Sequence, residues 1–269
     1  MTVPGVDCSR PISGASLASA GKVFVGRYYS SFNDTKDLTQ AEAADILSHG
    51  VGILAIGEDG ANDLTSGVPH AQALAHAYVA RAQAEGQPTG TGIVMTCDNN
   101  GAAPAGVEQA MTAAAVILRA GGYKAGFYGP KVEAAALMHS GSIDFTFPVD
   151  TWNEGWSGDD TQWNYRQLPN AGYQTIGGVT CDTDDAPHPI GLWLAQTPTP
   201  PSVERPLMDR AGLISFLANA ICARDASAAE LYTYGDPAKT SDRQVVVYFE
   251  DTPDGTAIKQ TRRAAAGLS

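Results

Sequence analysis

The 269-residue sequence predicts an α/β protein: a (β/α)8-type barrel whose last helices are missing, followed by a small C-terminal α+β appendage. Three observations predict it. Short strand-like runs alternate with amphipathic helical runs, giving five β-α units in succession. Several strand candidates, such as Lys22-Val-Phe-Val-Gly and Gly92-Ile-Val-Met, are apolar at successive positions, as strands buried on both faces of a parallel sheet are. The gaps after the sixth and seventh strands, roughly 153–161 and 168–174, are too short for a crossover helix. An open doubly wound sheet is the alternative, and periodicity alone does not separate the two.

The strand candidates are residues 3–7, 22–29, 51–58, 91–98, 123–128, 145–152, 162–167 and 175–182. The helices between them have readable ends. A short one fills 14–20. Thr39 and Glu42 have capping-box spacing and open a second helix, which Gly50 closes. Leu74, Tyr78 and Ala82 form one stripe of a third helix that stops at Gly86. Pro104 stands at the start of a fourth, which carries Val107, Ala110, Met111, Ala114 and Leu118 and ends at Gly121-Gly122. Pro130 opens a fifth, running through Met138.

The barrel is assigned to residues 1–196 and a stiff Pro-rich linker to 197–206. The remainder, 207–269, reads as a helix near 207–221 and a strand at 244–249 paired with 231–234. It is too small to bury much core alone and is expected to pack on the barrel or on a partner.

With 17 basic and 29 acidic side chains the net charge is −12, which argues against binding to nucleic acid or anionic membranes. The excess is uneven: residues 1–203 hold 9 basic and 20 acidic groups, while 204–269 hold 8 and 9. No apolar run is long enough for a membrane span. The first residues, MTVPGVDCSRP, lack the basic and apolar regions of a secretory signal.

Cys8, Cys97, Cys181 and Cys222 have no zinc-site spacing, and no metal or cofactor is expected. They are read as buried free thiols, with a Cys8–Cys181 disulfide as the alternative. Three of them adjoin an aspartate, so an Asp facing a site would leave its Cys facing the packing layer. His49, His70, His76, His139 and His188 lack ligand spacing and read as surface residues.

In a barrel of this kind, sites form at the C-terminal ends of the strands. Asp7, Glu58-Asp59, Asp98, Asp150, and Asp182 with Asp184 stand at such ends. Asp59 and Asp150 read as cap or turn formers. Asp7, Asp98 and Asp182 read as functional. Crowded carboxylates hold one proton beside an ionised partner, which is the arrangement glycoside hydrolysis requires. Trp152, Trp156, Trp163 and Tyr165 would offer ring faces to a sugar, two of the four being core. Tyr28-Tyr29 and Tyr128 widen the same rim.

The ordered set GVDCSRP, VFVGRYY, KDLTQAEAADILSHG, IVMTCD, AGFYG, TWNEGWS and IGGVTCDTDDA carries a resemblance. Over about residues 3–186 the chain resembles the glycoside-hydrolase-like family of actinobacteria and their phages, a relative of the family 25 lysozymes. The resemblance implies a modified TIM barrel, (β/α)5β3, with a sugar-facing cleft and a link to bacterial cell walls. It places Asp7, Asp98 and Asp182 as catalytic and Gln167 as a sugar hydrogen-bonder; Asp184, Tyr28, Tyr128, Trp152 and Trp156 join the expected substrate-binding set. One departure is evident. Where the lysozymes carry D-x-E on strand four, this chain has Asp98-Asn99-Asn100. Either Glu58 supplies the missing acid, or the site binds glycan without cutting it. The expected partners are therefore a cell-wall glycan and, through 207–269, other phage tail proteins, with the protein virion-borne, a phage lysin, or otherwise facing the cell wall.

Overall fold

The computed structural model describes residues 2–32, 35–61, 63–99, 105–152 and 156–195. All of them lie within the compact unit Met1–Gln196. The linker, the C-terminal helix and strands, Cys222, Pro104 and Asn100 lie outside the described residues.

Five β-α units come first: β1 Val3–Asp7, α1 Gly14–Ser19, β2 Phe24–Tyr29, α2 Gln40–Ser48, β3 Gly52–Gly57, α3 Val68–Ala84, β4 Gly92–Thr96, α4 Val107–Ala120, β5 Lys124–Gly129 and α5 Lys131–His139. Four strands without helices between them follow: β6 Phe145–Pro148, β7 Arg166–Gln167, β8 Gln174–Ile176 and β9 Val179–Ala186. Two short 3-10 turns, Asp160–Gln162 and Pro169–Ala171, occupy the gaps that were too short for helices.

β1 through β6 pair in parallel and in sequence order; β9 then lies antiparallel beside β1, and β7 antiparallel beside β9. The ring nearly closes where Tyr165 donates to the Thr146 carbonyl at 3.0 Å and Asp150 to the Gln167 carbonyl at 2.9 Å. This is the modified barrel, not the open sheet. The final strand requires a correction. The single run read at 175–182 is a hairpin, turned at Gly177-Gly178 with φ of 58° and 83°, values that a two-residue turn demands and glycine supplies. Because β9 runs downward, Asp182 does not end a strand; it reaches the mouth from the upper half of an antiparallel one.

Side chains alternate between two cores. Inside the barrel, Tyr165 meets Phe24, Phe145 and Phe147 at ring-centroid distances of 5.3, 5.8 and 5.9 Å. Glycine makes room for these rings. A Cβ on Gly126 would stand 2.3 Å from the Phe145 ring, and one on Gly5 2.1 Å from Phe24. Outside, Val25, Ile53, Ile93 and Phe127 pack under the helices, meeting Ile46, Leu74, Tyr78, Met111 and Leu118.

The capping box at α2 is half formed. Thr39 accepts from the Glu42 N–H at 3.2 Å, but the Glu42 carboxylate turns away. It takes the fully buried Arg27 guanidinium through two contacts, 2.8 and 3.0 Å, and the Ile12 N–H at 3.0 Å. Arg27 also donates to the Cys8 carbonyl, so one buried ion pair ties α2 and β2 to the end of β1.

The cysteines also require a correction. Cys8 and Cys181 are disulfide-bonded, while Cys97 is a buried free thiol. The register explains the bond: Asp7 pairs with Asp182, so the next residue of β1 and the preceding one of β9 meet on the outer face. All five histidines are exposed, as read.

The bond closes a loop of 173 residues. Replacing both cysteines, Cys8→Ser with Cys181→Ser, should lower unfolding free energy by about 2–4 kcal/mol in urea titrations, and a reductant should bring the unmodified chain to a similar midpoint.

Candidate active site at the barrel mouth

Strand parity builds the site. On β1 the odd residues face inward, on β2 through β5 the even ones, on β7 the odd and on β9 the even. Asp7, Tyr28, Glu58, Asp98, Tyr128, Gln167, Asp182 and Asp184 all fall on the inward parity; Asp182 lies opposite Asp7, and Asp184, one inward step further along β9, lies between Gly5 and Gln167. Cys8, Cys97 and Cys181 face the helix layer, opposite their neighbouring aspartates.

Asp7 is the floor of the site. It is 2% exposed, and both of its oxygens are held: Tyr28 donates its hydroxyl to Oδ1 at 2.6 Å, and Gln167 donates Nε2 to Oδ2 at 3.0 Å. The Tyr128 hydroxyl donates to Gln167 Oε1 at 2.8 Å, which fixes the amide so that its N–H points at Asp7. A chain from β5 through β7 and β1 to β2 is thereby complete. Trp152 stands edge-on to Tyr128 at 5.9 Å between centroids and extends the aromatic wall.

Burial and the neighbouring Asp182 charge push Asp7 up to about 6, against the opposing pull of the Tyr28 and Gln167 hydrogen bonds. Burial, then the Asp98 charge, raises Asp182; burial raises Asp98, which stands at the exposed rim. Glu58, just past the end of β3, also raises Asp7. From rim to floor, Asp182 feels the Asp98 charge and Asp7 feels the Asp182 charge.

Lys36, which pattern reading did not single out, is part of the mouth. Its ammonium contacts Glu58 Oε1 at 3.1 Å and lies 5.2 Å from the centre of the Tyr28 ring. Nothing marks it in sequence, because it lies in the connection after β2 rather than at a strand end.

Other expected residues lie elsewhere. Trp156 packs against the helix layer, 4.9 Å from Trp163, and both indoles donate to Asp160 Oδ1 at 3.0 and 3.1 Å. Trp163 and Tyr165 are the two core members of the aromatic set. Asp150 holds the buried Lys131 at 3.0 Å, and Asp59 accepts from the Ser31 N–H at 2.6 Å; both are structural, as read. Among the described residues no group of three or more His, Cys, Asp or Glu side chains is placed to hold a metal ion. No helix among them is long and apolar enough to cross a membrane.

An acid whose proton is held more tightly when folded stabilises the fold most at low pH. The Asp7 contribution is therefore complete below its unfolded value near 4 and lost as pH rises through about 6. Carbon-detected NMR should place the Asp7 midpoint near 6. Tyr28→Phe removes a donor to the ionised form and should raise that midpoint by roughly one pH unit.

The comparisons with known proteins agree with the barrel fold. A model of the Rv2525c-like, glycoside hydrolase-like domain matches residues 15–186. The Tat-secreted protein Rv2525c of Mycobacterium tuberculosis, crystallised with L-tartrate, is similar at TM-score 0.58 and 18% identity, over 71% of this chain and 98% of that one. An uncharacterized B. stearothermophilus protein is similar at TM-score 0.50 and 18% identity, over 68% and 94%. The modular autolysin LytC of Streptococcus pneumoniae is similar at TM-score 0.50 and 11% identity, over 68% and 46%. At these identities the likenesses show the fold. No curated protein matches the sequence. With well over half of its length covered by the family model, and its barrel shared with these structures, the chain belongs to the Rv2525c-like, glycoside hydrolase-like domain family.

Proposed function

We propose that the protein binds a bacterial cell-wall glycan at the barrel mouth and hydrolyses it with Asp98 and Asp182 as the working pair. The observation that carries this reading is the rim-to-floor series of Asp98, Asp182 and Asp7, each raised in pKa by burial, with like charges adding to the shift on Asp7 and Asp182. Asp98, exposed at the rim, gives its proton to the glycosidic oxygen as the bond to the anomeric carbon breaks. The Asp182 carboxylate stabilises the positive charge that develops on the sugar. Water adds to the anomeric carbon, and its proton returns to Asp98. Asp7, with both oxygens engaged, positions rather than reacts. It keeps negative charge beneath the sugar and locks Gln167 and Tyr28 into the wall. Tyr128 and Trp152 supply ring faces for sugar C–H groups.

The family's glycoside hydrolase-like character and the likeness to an autolysin support a wall-directed substrate. The narrower placement on a phage virion or tail is drawn from the sequence resemblance over residues 3–186, and the docking role of 207–269 from its position after a Pro-rich linker. A second reading, glycan binding without cleavage, is favoured by Asn100 standing where the related lysozymes carry an acid.

Purified cell walls in a zymogram, with release of reducing ends as the quantitative readout, test the first reading. The unmodified chain should clear the walls, and Asp98→Asn should lose about a hundred-fold or more in rate. Failure of the unmodified chain to clear them would end the hydrolytic reading. Binding would then be measured by co-sedimentation with insoluble walls, and Tyr128→Ala should weaken it.

A further inference from the structure

The site is built from acceptors of positive charge. Asp7 comes from β1, Glu58 follows β3, Asp98 follows β4, and Asp182 and Asp184 belong to β9. β5 and β7 add the neutral Tyr128 and Gln167. Lys36, a cation among the described residues at the mouth, is engaged by Glu58 and the Tyr28 ring. Arg166, on the outward face of β7, is bound by Asp185 at 2.8 and 2.5 Å. Lys22 acts on Asp184 from the opposite end of the barrel, where β2 begins.

Asp184 is an independent observation. It is 2% exposed, sits opposite Gly5 one inward step below the Asp7–Asp182 pair, and neither of its oxygens has a hydrogen-bond partner among the described residues. A buried carboxyl in that state carries a desolvation cost that no local donor offsets. Burial and the charges of Asp7 and Asp182 hold its pKa well above the usual carboxylate range. A positive group seated above it at Asp7 and Asp182 would relieve all three carboxyls through space. The described carboxylates do not converge as a metal cage does, so the matching cation is an extended one.

We propose that the mouth selects a glycan bearing free amino groups, with the sugar ammonium donating to Asp182 and Asp98 above the buried Asp7 and Asp184. This rests on the glycan-binding reading and names the substrate class for the same site. An N-acetylated sugar presents a neutral amide and leaves the carboxylates uncompensated, while an acidic sugar is repelled. Binding also draws protons off the carboxyls. Affinity for the amine therefore rises as pH increases from 4 toward 7, and complex formation releases protons to buffer.

The experiment is calorimetric titration of the full chain with oligomers of β-1,4-linked glucosamine and with their N-acetylated counterparts of equal length. At pH 7 and low salt the amine form should bind about ten-fold or more tightly than the acetylated form, with heats that differ between buffers of different ionisation enthalpy. Asp98→Asn at the exposed rim, and separately Asp182→Asn, should remove most of that preference while thermal unfolding stays cooperative. Equal or tighter binding of the acetylated oligomers would overturn the amine preference and leave the glycan reading standing. Binding of neither would overturn both. A preference that survives in both variants would assign it to the general acidity of the surface and overturn the proposed site.

Discussion

The register of β9 against β1 is the constraint on which the mouth depends. Asp7 lies opposite Asp182 and Gly5 opposite Asp184 in an antiparallel pair. In such a pair, directly opposed residues share a face and successive residues alternate. One register therefore sets two chemistries. On the inner face it stacks carboxyls in two levels; on the outer face it brings Cys8 to Cys181. A slip of one residue would turn the carboxyls into the helix layer and separate the thiols. The disulfide thus fixes, by a covalent bond, the alignment that the carboxyls require.

Around that pair the barrel is held from both sides. The buried Arg27–Glu42 pair anchors α2 to β2 and reaches the Cys8 carbonyl, so the end of β1 cannot shift without breaking a fully desolvated ion pair. Inside, rings from β2 and β6 close on Tyr165, with glycines on neighbouring strands admitting them. The packed lower barrel forms a buried floor, on which Asp7 is held by the Tyr28 and Gln167 donors. Pre-set donors and low dielectric together give this acid its unusual titration, and the same features would let a bound sugar meet fixed charges rather than water.

The missing helices shape the site as well. After β6 and β7 the chain returns without a crossover helix, and Trp152 and Gln167 stand at the mouth beside Tyr128. The β6–β7 connection packs Trp156 and Trp163 against the helix layer instead, where Asp160 and the buried Lys131 anchor them. Four aromatics that are close in sequence therefore split among the rim, the barrel core and the helix layer.

The sequence by itself determined the order of β-α units, the helix-poor end, the structural roles of Asp59 and Asp150, and the inward parity of Asp7 and Asp98. Those features follow from local periodicity, capping and the alternation of a strand, all contained within a few residues. Only the tertiary structure decided the rest. The direction of β9 turns on a two-glycine hairpin that reads as a continuous strand until its partner is known. The Cys8–Cys181 bond, the Glu42 carboxylate leaving its cap for Arg27, the place of Lys36, and the partnerless burial of Asp184 are contacts between residues far apart in sequence. Such contacts are fixed by which strand neighbours which, and a pattern read along one chain carries no record of its neighbours.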